Sequence, residues 1–141
     1  MIYRMLFIFA GILSLSVFSG TAQDWVGMPD DSVKKIIKTE LPDFYLNTNS
    51  VNKFYHYLKY EKSDGMQTML VFLDDSSKCR YIKNIYDYNE WSRVISNFNE
   101  TLTCQNDSLW SYIQENREIT KEIKKEEWFF TVVTKSREIK D

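Results

Sequence analysis

The sequence predicts an α+β fold: two αβββ units in tandem, forming an antiparallel sheet with two helices packed on one face. Three observations lead there. Apolar residues recur at helical spacing in two separate stretches, six stretches are rich in aromatic and β-branched residues, and turn-forming connections divide those six into two groups of three. Connections this short force antiparallel neighbours, so each group reads as a meander that helices can cover on one side.

Taken in order, the chain opens with Arg4, an apolar run over residues 5–17 and the small and polar residues "FSGTAQ". This is the layout of a secretory signal, and its run of 13 residues falls short of the roughly 20 that a membrane-spanning helix needs. Gly20 and Ala22 suit the −3 and −1 positions of a cut before Gln23. A signal peptide is therefore expected over residues 1–22 and a single α+β domain over 23–141, secreted or periplasmic, with repeat-like halves at 27–87 and 88–135. Removing residues 1–22 takes away Arg4 and no acid, so 17 basic and 20 acidic side chains remain, a net charge of −3. Lys and Arg are interleaved with Asp and Glu rather than gathered in a stripe, which argues against nucleic acid as a partner. The later apolar runs are too short for a membrane span.

In "GMPDDSVKKIIKTEL" the residues Val33, Ile36, Ile37 and Leu41 line one helical face. Pro29 suits a helix start, Asp30 and Asp31 sit near the positive end of the dipole, and Pro42 ends the helix. Residues 53–61, 66–74 and 79–87 then read as strands; Asp64-Gly65 suits a tight hairpin and "DDSSK" a longer loop. At Asp87 the period changes: Tyr88, Trp91, Val94, Ile95 and Phe98 share one side of a second helix, and Asp87 with Glu90 has the form of a capping box. Residues 108–114, 117–124 and 127–133 are three further strands. Ile119 and Ile123 alternate with Thr120, Glu122 and Lys124, giving one solvated face, while residues 128–133 are apolar on both faces and suit a central position. Residues 135–141 read as a frayed, charged tail.

Two cysteines, Cys79 and Cys104, are expected to pair in an oxidising compartment, clamping the third strand to the segment after the second helix; two buried free thiols are the alternative. His56 is the only histidine. It lies among tyrosines with no nucleophile placed beside it, so a structural role is expected. Ser32-x-x-Lys35 has the spacing of a lysine-activated serine but none of the companion stretches that chemistry requires. The acidic pairs Asp30-Asp31, Asp74-Asp75 and Glu126-Glu127 fall at a helix start or in turns, where solvation explains them. After the signal only Gly27 and Gly65 remain, too few for a phosphate-cradling loop. Asn99-Glu-Thr101 and Asn106-Asp-Ser108 have the form of glycosylation sequons, and Asp31-Ser32-Val33 and Asp107-Ser108-Leu109 resemble bacterial O-glycosylation sites. The expectation is a protein without catalytic, metal or cofactor sites.

The αβββ order, taken twice, resembles the tandem fold of β-lactamase inhibitor protein. "GMPDDSVKKII" is also similar to the opening motif of SmpA-type envelope modules through Gly27, Met28, Val33, Ile36 and Ile37; the lipid-attachment cysteine of that family is absent, and Lys38 stands where it continues with glycine. As a whole the chain resembles small secreted proteins of unknown function from Gram-negative bacteria. The first resemblance implies a proteinaceous inhibitor of an extracellular enzyme.

The residues themselves point to contact by aromatic rings, since Phe, Trp and Tyr number 22. Alternation with Phe54, Leu58 and Tyr60 under the helices leaves Tyr55 and Tyr57 on the other face; with Leu109 and Ile113 inward, Trp110 and Tyr112 point outward. Tyr55, Tyr57, Trp110 and Tyr112 are thus the expected contact residues of a non-enzymatic envelope module that binds a protein or glycan partner; the alternative is that these rings complete a covered core or a homodimer seam. A small hydrolase using His56 is the less favoured alternative.

Overall fold

A computed structural model describes residues 25–48 and 56–140. The expected signal at 1–22 and the positions Phe54 and Tyr55 lie outside the described residues.

Helix α1 (Asp30–Glu40) begins directly after Pro29 and buries Val33 and Ile37, the two residues at the centre of its apolar stripe. Asp30 accepts from Lys34 Nζ at 2.8 Å, one turn on, and the helix stops at Leu41, ahead of Pro42. Four strands follow: β1 (Phe44–Leu46), β2 (Tyr57–Lys62), β3 (Gln67–Leu73) and β4 (Cys79–Asp87). Asp87 does cap what comes next, but its carboxylate takes the Asn89 amide (2.8 Å) and starts a 3-10 turn (Tyr88–Glu90). Glu90 does not close a capping box; its carboxylate pairs with Arg93. Helix α2 (Trp91–Thr101) continues from that turn, and β5 (Thr103–Asn106), β6 (Leu109–Gln114), β7 (Arg117–Lys125) and β8 (Phe129–Glu138) complete the chain.

All eight strands form one antiparallel sheet in the order β1-β2-β3-β4-β8-β7-β6-β5. Each helix is followed by four strands rather than three, which corrects the αβββ expectation. The order is a palindrome: from either edge the strands run first to fourth of one half, and the fourth strands, β4 and β8, meet in the middle. The strands missed, β1 and β5, are the two edges. Short edges limit pairing with other chains. A second correction concerns the tail: β8 runs on to Glu138, and Arg117↔Glu138 through Thr120↔Lys135 hold it in register with β7.

Register fixes the faces. Met69 lies opposite Asn84, Asn84 opposite Val132, and Val132 opposite Ile123, so these four share one side of the sheet. Trp110 opposite Lys121 and Lys121 opposite Thr134 continue that side toward the β5 edge. Both helices cover it. Val33 and Ile37 of α1 pack with Trp25, Tyr60, Met69, Val71, Cys79 and Ile82; Val94 and Phe98 of α2 pack with Trp110, Ile123, Phe130 and Val132.

The expected disulfide does not form: Cys79 is buried, Cys104 is exposed and no bond joins them. The strand order explains why. Cys79 begins β4 and Cys104 lies in the edge strand β5, four places away in the sheet. At ~4.8 Å per strand that is on the order of 19 Å, beyond the ~7 Å limit for bridging two Cα atoms. The two halves are clamped instead by the β4–β8 ladder.

Candidate functional site

Between α1 and α2, over the centre of the sheet, lies a cleft of about 730 Å³. Its floor is made by residues of β3, β4, β7 and β8: Gln67, Met69, Asn84, Lys121 and Val132. Leu41 and Phe44, where α1 passes into β1, form one wall, and Val94, Phe98 and Leu102 form the other; Trp25 contributes from the segment before α1. The palindromic sheet explains the cleft: each helix packs on its own half, α1 on Ile82 of β4 and α2 on Phe130 and Val132 of β8, and the space opens between the two helices. A volume of this size is typical of small-molecule sites, and about half of the residues that line this one are polar or charged.

The polar groups in the floor are unusual for a core. Asn84 is 4% exposed and its Oδ1 accepts from Gln67 Nε2 at 2.9 Å. Lys121 is also 4% exposed, and no ion pair to it is found among the described residues. Its Nζ stands 5.7 Å from the centre of the Phe98 ring, which supplies a weak cation–π attraction but no charge. Burial lowers its pKa to about 8, because a desolvated ammonium is disfavoured relative to the neutral amine. The Nε1 of Trp25, a donor with no acceptor capacity, is buried without a hydrogen-bond partner. Two donor groups thus border the cleft with no counter-charge in its floor. The rim carries both signs: Glu40 and Asp43 beside α1, Arg93 on α2, and Lys62, which pairs with Asp64 at 2.9 Å. Tyr86, also lining the cleft, is pushed up to about 12 by burial.

The expected aromatic quartet divides. Tyr57 does lie on the helix-free face, opposite Phe72, and the row Tyr57, Phe72, Tyr81 crosses three strands with ring centroids 5.6 and 4.4 Å apart. Trp110 and Tyr112 do not. Trp110 is on the helix side, 3% exposed, edge-on to Phe98 at 5.6 Å, and its Nε1 donates to Asn99 Oδ1 at 3.0 Å. Tyr112 shares that side, opposite Ile119, while Leu109 and Ile113 take the open face. Both faces of β6 are apolar, and the demand of Phe98 for a ring neighbour decides between them. His56 is exposed, just ahead of β2, and does not line the cleft.

Sequence reasoning passed over Lys121 and Asn84. Their signal was present: Lys121 stands two residues from both Ile119 and Ile123, the inward positions of β7, and Asn84 lies between Ile82 and Tyr86 in the same way. Among the described residues no helix is long and apolar enough to cross a membrane, and no group of three or more His, Cys, Asp or Glu is gathered as a metal site. No protein-family model, curated protein or solved structure matches the chain.

Proposed function

We propose that this protein is an exported, non-enzymatic binding module, secreted or periplasmic, which takes a small apolar molecule into the cleft between its helices. The observation that carries the reading is the cleft itself: a volume of about 730 Å³ with mainly apolar walls and buried polar groups in its floor. A core of only structural purpose would close such a space, because voids forfeit dispersion contacts and buried polar groups cost stability. Export rests on Arg4 and the apolar run over 5–17; the absence of catalysis rests on the character of the cleft lining and on the distance of His56 from it.

The neutral fluorophore N-phenyl-1-naphthylamine tests this reading. Its emission should rise on binding at one site per chain. The rise should be lost in Asn97→Trp, which sets a large ring into the cleft from a half-buried position on α2. A flat titration, or one that Asn97→Trp leaves unchanged, would refute the reading.

A second reading has its own observation. The half-exposed row Tyr57–Phe72–Tyr81 on the helix-free face offers ring faces to a protein or glycan partner, which would include an extracellular enzyme to be inhibited. The expected contact set is then Tyr57, Phe72 and Tyr81, with Trp110 and Tyr112 removed from it.

A further inference from the structure

We infer that the ligand of the cleft is an apolar molecule bearing one carboxylate, whose charge is met by the Lys121 ammonium. This rests on the reading of the cleft as a binding site and adds the chemistry of what enters. A buried ammonium is tolerated when an anion or several acceptors surround it; here the neighbours of Lys121 are Trp110 and Thr134 across the strands and the Phe98 ring above. None supplies a negative charge. The cations nearest the opening, Lys62 and Arg93, are already engaged by Asp64 and Glu90, and the rim acids Glu40 and Asp43 are exposed.

The Thr134 hydroxyl, opposite Lys121, is buried without a hydrogen-bond partner among the described residues and can either donate or accept. Lys121 and Trp25 Nε1 are donors without acceptor capacity, and both residues line the cleft. An acceptor-only head group complements them, which favours a carboxylate over an alcohol and excludes an ammonium. The walls bear on the remainder of the ligand: Leu41, Phe44, Val94, Phe98 and Leu102 are apolar, interrupted on α2 by Asn97 and Thr101, so the body of the molecule is mainly hydrocarbon or aromatic. With a pKa of about 8, Lys121 is still mostly protonated at pH 7, so the site meets its ligand already charged. The other titratable groups around the cleft are Tyr86 on β4, Lys62 on β2, Arg93 on α2, Glu40 at the end of α1 and Asp43 after it. Of these only the two acids oppose an incoming anion, and they do so from the solvated rim, where screening weakens them.

A matched series distinguishes the inference from the reading beneath it: decanoate, decanol and decylammonium, each below its micellar concentration at pH 7, titrated calorimetrically into the full chain and into Lys121→Met. Decanoate should bind the unsubstituted protein at least ~10-fold more tightly than decanol, the scale of a charge-assisted hydrogen bond in a desolvated site. Decylammonium should bind most weakly. In Lys121→Met, decanoate should lose that advantage while decanol is retained, and Lys121→Gln should behave likewise. Equal affinity for all three, or an advantage of decanoate that survives both substitutions, would overturn the carboxylate inference and leave the cleft as a neutral apolar site. If none of the three binds, the reading of the cleft falls, and the inference with it.

Discussion

The two halves of the molecule share an element order and differ in what their helices cover. Under α1 the core holds no charged side chain, with Val33, Ile37, Val71 and Ile82 at or near zero exposure and Trp25, Tyr60 and Met69 around them. Under α2 the core is built from rings, Phe98, Trp110 and Phe130, and a lysine is set among them. One half is committed to holding the sheet. The other carries a buried lysine whose charged form is disfavoured by desolvation. Buried cations without partners are the kind of local inconsistency that folds carry where function requires it.

The comparison can be broken most forcefully at Phe130. Its ring is fully buried, stacked on Tyr86 at 5.1 Å and edge-on to Trp91 at 5.0 Å. Phe130→Ala should cost about 3–5 kcal/mol in urea denaturation; a loss under about 1 kcal/mol would mean that the ring core does not hold α2.

Lys121→Met sharpens the contrast in the opposite direction. The buried ammonium has a pKa of about 8 in the fold and an ordinary value in the unfolded chain, so between about pH 8 and 10 the unfolded state binds the extra proton. Stability contributed by this site is therefore absent below pH 8, where both states carry the charge, and grows as pH rises through that window. At pH 7 the substitution should stabilise the protein by up to about 3 kcal/mol, and the upward slope between pH 8 and 10 should vanish. Tyr86, whose pKa burial raises to about 12, works in the reverse sense above pH 10, which confines the useful range to 8–10. Destabilisation of Lys121→Met at pH 7 would show that the lysine supports the fold.

The smallest effect is expected at Trp110→Phe. The change keeps a ring against Phe98 but removes the donor to Asn99 Oδ1 and shrinks a buried indole to a phenyl, so about 1–2 kcal/mol should be lost. A loss several times larger would place Trp110 on a par with Phe130.

Much of this architecture could be read before any coordinates. Both helices announce themselves because Val33 and Ile37, and Val94 and Phe98, recur at the helical period, and six strands follow from alternation and turn residues. The edge strands escaped for a physical reason: "TCQN" in β5 is exposed throughout, so pairing with β6 defines it and no pattern of its own does. The end of β8 was mistaken for a tail because Lys135 and Arg137 are polar, yet Arg137 pairs across to Glu118 at 2.5 Å. The cysteine pairing failed because strand order, which separates Cys79 from Cys104, is set by how the halves meet and not by spacing along the chain. The cleft was illegible for the same reason, although one of its main residues, Lys121, sat in plain view within the β7 alternation.

That meeting of the halves has a further consequence. The β4–β8 seam joins six facing residue pairs, from Ile82↔Thr134 to Asp87↔Phe129, and both strands are among the longest in the sheet. A chain interrupted after β4 would leave two pieces, each ending in a bare strand shaped to zip onto the other. Integrity of the molecule thus depends on its midline more than on its margins, and the pieces would be far more adhesive apart than the whole is.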